Sequence, residues 1–448
     1  MCRQSEATTA LYVRQILVCR LTGLEAGYRP LWSGSSPTLN TFYWRLRRRQ
    51  TEVGRTSKAV SRCACHRTPN SNLIMTVIET LRDLVAIDSI SQRSNVEIIS
   101  YLATRCEAAG LKTTKLIDID DAGVEKINLM AQTSTEPDST IELTLVGHTD
   151  TVPYDPAWIE ALRLTEKNGI LLGRGACDTK AFIAAALTAV ESIDLSKLQK
   201  PLVLVFTADE EIGCLGAKRL AAAKPFSARY AIVGEPTSLQ PMRVGKGYCL
   251  AEITVRGREA HSAYPQIGAS AIFRAARLIG RIEQIAAELK QDQRAGFDPP
   301  YTTMNVGLIE GGTAKNIIAG ECRFTLEWRT IPGQESDYTL DLVRQAAADL
   351  HKQDGDFVCE IDAVRTDESF ETRADSPLVQ FLEESSGKES GTVAFGTEAP
   401  SLIDLGADAV VLGPGDIRVA HRTGEFVPVD QLHRCVEILS QAIEYFCK

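Results

Sequence analysis

The chain has 448 residues, 44% hydrophobic and 24% charged, with a formal net charge of −9. That length supports two or more domains with sizeable cores. No uninterrupted apolar run reaches the roughly 18 residues of a membrane helix, and the acidic balance gives no reason to expect nucleic acid as a partner.

The charge is uneven. Residues 1–74 hold 12 Lys/Arg against 3 Asp/Glu, and the rest of the chain holds 37 against 55. Arg45, Arg47, Arg48 and Arg49 cluster in this first segment, which shows no clear periodicity. Two readings stay open. One is a basic, Ser/Thr-rich, transit-type leader. The other is an upstream extension of the reading frame ahead of Met75, where Val77, Ile78, Leu81, Leu84 and Val85 begin a helical pattern. Either way the fold is expected to start at residue 75. Four of the 12 cysteines (Cys2, Cys19, Cys63 and Cys65) fall in the same segment. Cys63 and Cys65 adjoin His66, but no second ligand pair follows at zinc-finger spacing. The other eight are scattered singly through apolar runs, as expected of reduced, buried thiols in a cytoplasmic enzyme.

From residue 75 onward, helices and strands alternate. A helix over 96–109 stops at Gly110, a good C-terminal cap. A strand over 141–147 leads to a long helix starting near Asp178, then come a strand over 202–207, a short helix over 217–223 and a strand over 230–233. Short apolar strands separated by helices predict a doubly wound sheet covered on both faces. Near residue 248 the pattern changes. A strand (250–255), a long helix (269–289), two strands (303–309 and 322–329), a helix (340–350) and a strand (357–364) spell β-α-β-β-α-β, the ferredoxin-like unit. A helix (376–384), a strand (409–412) and a terminal helix (429–446) then read as a return to the first domain. The expected fold is two-domain α/β: a doubly wound mixed-sheet domain from 75–247 and 366–448, with a ferredoxin-like α+β domain inserted at 248–365.

Chemistry-bearing residues gather where apolar strands end. His148 and Asp150 follow one strand at i and i+2, so they share a face, and an imidazole ligand commonly needs a carboxylate behind it. Asp178 stands at the mouth of a helix, where it could equally be a cap. Asp209, Glu210 and Glu211 follow the strand 202–207, with Gly213 and Gly216 close behind in a tight turn. Glu235 follows the strand 230–233. Gly413-Pro414-Gly415 follows the last strand, with His421 and Glu425 beyond. Open α/β sheets bind ligands outside the carboxyl ends of their strands, so these segments should converge on one rim. Two imidazoles and several carboxylates there suit a pair of borderline-hard divalent ions.

These segments, in this order around an inserted domain, resemble the metal-dependent aminoacylase/carboxypeptidase family of α/β exopeptidases, over essentially residues 75–448. The resemblance implies a zinc-dependent amidohydrolase with two zinc ions, for which cobalt can substitute. Asp178 would bridge the ions, with His148 and Glu235 completing one site and Glu211 and His421 the other. Asp150 would support His148 from behind, and Glu210 would be the general base toward a metal-acidified water. Being adjacent, Glu210 and Glu211 can be aimed apart by a turn. The inserted domain would be a lid and homodimerisation domain. Its His261 would reach a partner's active site and stabilise the oxyanion, while Asn316 and Arg329 would hold a substrate carboxylate. The implied substrate is a small N-acyl amino acid. Residues 395–400 and 235–241 are more similar to members acting on acetylornithine than to those acting on succinyl-diaminopimelate, and Glu398 would then hold the side amine. Where the family has Asp-Met-Lys-Gly, this chain has Asp178-Thr179-Lys180-Ala181, which keeps the ligand. Competing readings are a broader N-acyl amino acid deacylase, a succinyl-diaminopimelate desuccinylase, a dipeptidase, and a non-catalytic metal scaffold. A nucleotide-binding protein would need a Gly-x-Gly-x-x-Gly loop after the first strand, and none is present.

Overall fold

The computed structural model describes residues 75–134 and 140–448. The basic segment 1–74, with Cys63, Cys65 and His66, lies outside the described residues. The first helix, Val77–Ala86, begins at a capping box in which Thr76 and Glu79 bond each other's backbone N–H. It buries Val77, Leu81, Leu84 and Val85.

Four strands form the heart of a nine-stranded mixed sheet: Leu202–Thr207, Thr140–His148, Ser227–Val233 and Asp408–Val411, all parallel. Their near-continuous apolar runs follow from burial on both faces. Leu202, Leu204 and Phe206 enter one core with the helices Lys180–Glu191 and Val429–Cys447, while Val203 and Val205 enter another with Leu220 and Leu402. The rim expected at the carboxyl ends of these strands is therefore a single edge of one sheet.

Two strands that periodicity did not indicate extend this sheet. Lys112–Ile119 and Glu125–Gln132 join antiparallel beyond Leu202–Thr207. The first is mostly solvated and reads as polar sequence; the second carries Lys126 and Asn128 inside an otherwise apolar run. Short strands Met242–Gly245, Phe370–Glu371 and Gly391–Val393 complete the opposite edge.

A separate antiparallel sheet runs Thr303–Gly311, Glu321–Arg329, Tyr248–Arg256, Val358–Asp367. With the helices Ala271–Leu289 and Ser336–Gln353 it encloses its own core around Phe324, Trp328, Leu278 and Leu340. Its element order is the β-α-β-β-α-β expected from the periodicity. Both sheets belong to one compact unit. The eight described cysteines are free thiols, seven of them buried. Among the described residues no helix is long and apolar enough to cross a membrane.

Candidate metal centre

His148 is the last residue of its strand and is fully buried. Its Nδ1 lies 3.1 Å from the Asp150 carbonyl oxygen and 3.6 Å from Asp150 Oδ1. An N–H at Nδ1 leaves Nε2 with its lone pair facing inward, as a metal ligand requires. That nitrogen is 3.1 Å from Asp178 Oδ1. The other Asp178 oxygen is 3.0 Å from His421 Nε2, which is also 3.0 Å from Glu211 Oε2. Asp178 thus lies between the two imidazoles. Ligand-type atoms of His148, Asp178 and Glu211 fall within 4.8 Å of one another, and so do those of His148, Glu210 and Glu235. All five ligands expected from the sequence, together with Glu210, meet at one place.

Local structure explains which acids point in. After Thr207 the chain enters a turn in which Asp209 has φ of +59°. This turns Asp209 away, into ion pairs with Lys126 (2.8 Å) and Arg219 (3.2 Å). Glu210 and Glu211 then face the cluster, their backbone N–H groups donating to Asp150 Oδ1 and Oδ2 at 3.1 and 3.2 Å. Ser91 Oγ donates to Asp150 Oδ2 at 2.7 Å. Asp150 therefore orients both His148 and the Glu210–Glu211 turn. The Cys214 thiol donates to Glu210 Oε1 at 3.3 Å.

Glu425, placed near the rim from the sequence but given no role there, is fully buried and organises the Asp178 loop. Its Oε2 accepts from Arg174 (2.6 Å) and Gly175 N–H (3.1 Å), and its Oε1 from Cys177 and Asp178 N–H at 2.9 and 3.0 Å. The signal that could have found it is a charged residue directly before the short strand Phe426–Pro428, two positions ahead of the buried Val427.

The electrostatics fit cations. Burial, together with the facing carboxylates of Glu211 and Asp178, pushes Glu210 up to about 8; burial and the Asp178 and Glu210 charges raise Glu235 well above the carboxylate range. Burial also opposes ionisation of Asp178, yet hydrogen bonds from His148 and His421 hold its carboxyl below the ordinary value. Hydrogen bonding to Asp178 and Glu211 lifts His421 to about 10. Glu211 Oε1 is buried with no hydrogen-bond partner. Acids that suppress one another's ionisation, an orphaned carboxylate oxygen and two inward imidazoles form a donor set completed by divalent ions.

The remaining candidates lie around this cluster. Glu398 is buried beside it, its Oε1 unpartnered, and burial raises its carboxyl to about 7. Arg329 is half-buried: Nη1 donates to the Ala394 carbonyl at 2.8 Å, and the guanidinium lies 4.2 Å from the Tyr248 ring centre. Arg365, not singled out from the sequence, lies 4.3 Å from the same ring and donates to Cys214 Sγ at 3.5 Å. His261 and Asn316 are exposed: His261 ends the two-residue strand Ala260–His261, which pairs with Ile317–Ile318, and Asn316 directly precedes that partner strand. The His261 ring accepts from Ala263 N–H at 3.1 Å, and the Asn316 carbonyl accepts from Ser262 N–H at 3.0 Å. Neither has a described contact with the cluster.

A buried cluster of this composition on the carboxyl rim of a mixed α/β sheet defines a metal-dependent hydrolase, and the chain belongs to peptidase family M20/M25/M40, whose model matches residues 144–445. The acetylornithine deacetylase of Myxococcus xanthus is 54% identical over 369 residues, covering 82% of this chain and 97% of that protein. The acetylornithine deacetylase of Proteus mirabilis is 36% identical over 382 residues, covering 83% and 97%. In fold, the chain is similar to a tripeptidase from Staphylococcus aureus, with a TM-score of 0.66 at 23% identity over 83% of this chain and 97% of that one. A dinuclear metal binding peptidase from Bacillus subtilis shares the fold with a TM-score of 0.59 at 14% identity, over 83% and 97%.

Proposed function

We propose that this protein hydrolyses N2-acetyl-L-ornithine to L-ornithine and acetate, a reaction of arginine biosynthesis, in the cytoplasm. The observation that carries the reading is the meeting of His148, Asp178, Glu210, Glu211 and Glu235 with the half-exposed His421, in a chain 54% identical to a relative named for that activity.

Asp178 would hold both metal ions, with His148 and Glu235 on one side and Glu211 and His421 on the other. Two zinc ions, or cobalt in their place, would supply Lewis acidity toward the acetyl carbonyl and lower the pKa of the attacking water. Glu210 takes that water's proton and returns it to the amide nitrogen as the C–N bond breaks. Asp150 keeps His148 in the tautomer that presents Nε2. Asn316 and Arg329 hold the substrate carboxylate, and Glu398 holds the side amine.

Residues 248–365 act as a lid and dimerisation domain between catalytic parts 75–247 and 366–448. The exposed Ile267, Ile272 and Phe273 beside His261 support a homodimer in which His261 stabilises the oxyanion in a partner's site.

The test is a substrate panel of acetylornithine, succinyl-diaminopimelate and acetylmethionine with zinc- or cobalt-loaded protein. Acetylornithine is expected to be the preferred substrate. Glu210→Ala should lower kcat by roughly 10²- to 10⁴-fold, the usual contribution of a general base, with metal retained. Failure of the loaded protein to hydrolyse any N-acyl amino acid would overturn the reading.

A further inference from the structure

Lys126 lies in the strand Glu125–Gln132, and its side chain is almost completely buried. A lysine is rarely buried unless its ammonium is satisfied. Here the Nζ meets the Asp209 carboxylate at 2.8 Å, the Arg93 carbonyl at 3.1 Å and the Ser91 carbonyl in a short contact, with the Asp120 carboxylate farther off at 4.0 Å.

Two of these partners lead to the metal centre by different routes. Asp209 immediately precedes Glu210 and Glu211, and it has a left-handed backbone that a non-glycine residue seldom adopts. Ser91 donates its hydroxyl to Asp150 Oδ2 at 2.7 Å. Asp150 in turn accepts the backbone N–H groups of Glu210 and Glu211 at 3.1 and 3.2 Å. The path is therefore closed: Lys126, Asp209, the Glu210–Glu211 turn, Asp150, Ser91, and back to Lys126. It joins the loop before helix Val96–Ala108, the end of strand Leu202–Thr207 and the end of strand Thr140–His148. The ammonium closes the ring between Asp209 and Ser91, opposite the Asp150 carboxylate.

We infer that Lys126 is a positioning residue of the metal centre, holding Asp209 in its left-handed turn and Ser91 against Asp150, so that Glu210 and Glu211 face inward in register. The role of Glu210 as general base and of Glu211 as ligand rests on the function proposed above. The ring itself does not.

Lys126→Met opens the ring at both sides but leaves Asp209 buried beside Arg219 alone. The double variant Lys126→Met/Asp209→Asn removes that charge, and asparagine tolerates the left-handed backbone. Each would be compared with the wild type as folded, zinc-loaded protein by steady-state kinetics on acetylornithine and by the rate of zinc loss into EDTA. Supporting residues of this kind change activity or metal affinity by about 10- to 100-fold. The expected result in both variants is a kcat lowered by that factor, KM within about twofold of wild type, and faster zinc loss. A role confined to stability would give a lower melting temperature in Lys126→Met, with kcat and zinc loss unchanged for the folded, loaded molecules. That outcome, in either variant that folds, overturns the inference. If the wild type hydrolyses no N-acyl amino acid, the proposed function fails, and the zinc-loss rates alone then decide the role of Lys126.

Discussion

Asp209, Glu210 and Glu211 are consecutive acids with three different environments. One is paired to Lys126 and Arg219, one faces the cluster beside a thiol, and one touches His421. Their chemistry was legible as acids after an apolar strand, but their separate directions came only from the family resemblance, because side-chain direction after a strand is decided by the turn's backbone. Glu425 shows the same limit from the other side: an acid that the sequence placed near the rim without a role becomes the acceptor for four donors around Asp178. Glu425→Gln would place an amide NH2 against backbone or guanidinium donors. It should therefore lower activity and zinc affinity by about 10- to 100-fold, as loss of a ligand's support does. Kinetics and a zinc titration against a competing chelator would check this, and unchanged values would show that the loop holds Asp178 unaided.

At the scale of elements, the join between strand Leu202–Thr207 and helix Leu215–Ala223 sets the depth of the Glu210–Glu211 turn. Asn128 clamps it, accepting from Ala208 N–H at 3.0 Å and donating to the Gly216 carbonyl at 2.7 Å. A Cβ on Gly216 would sit 2.3 Å from the Ala208 carbonyl oxygen and 2.6 Å from Asn128 Oδ1. Gly216→Ala must therefore push the helix off the strand end, with a destabilisation of about 1–3 kcal/mol, as overpacking gives, and weaker zinc binding. A melting curve and a zinc-per-chain measurement test both parts. The Gly213/Gly216 spacing announced a tight turn in the sequence. The strand carrying Asn128 did not announce itself, because its polar residues obscure a run that is buried only once the sheet forms around it.

For the whole molecule, the buried charge of the centre links stability to pH. In metal-free protein, burial and neighbouring carboxylates raise Glu210 to about 8. The folded state thus keeps a proton that the unfolded chain releases near an ordinary glutamate value of about 4.3. Stability from this group is lost as pH rises between those values. His421, raised to about 10 by Asp178 and Glu211, contributes stability that is complete below an ordinary histidine value of about 6.5. That contribution is lost as pH climbs through the folded value. Both signs agree, so the metal-free melting temperature should fall from pH 6 to pH 9. Zinc should remove or reverse that trend, since it binds the deprotonated ligands. A rising metal-free melting temperature over that range would contradict the assignment. Assembly belongs to this scale as well. Phe273→Glu, which charges an exposed apolar side chain beside Ile272, should give a monomer by analytical ultracentrifugation. It should also lower kcat while zinc content stays the same, if His261 acts across the dimer.

By itself the sequence determined the alternation of apolar strands and helices, the ferredoxin-like run of elements, and the ligand types at strand ends, since these are local patterns of period and composition. The tertiary structure alone decided how the turn aims Asp209 away from the centre, that Glu425 and Lys126 stand behind the ligands, and that a polar edge strand completes the sheet. Those contacts join residues as far apart in the chain as Arg174 and Glu425, separated by 251 positions. Pairing at that range depends on where packing brings two backbones together, which no local pattern encodes.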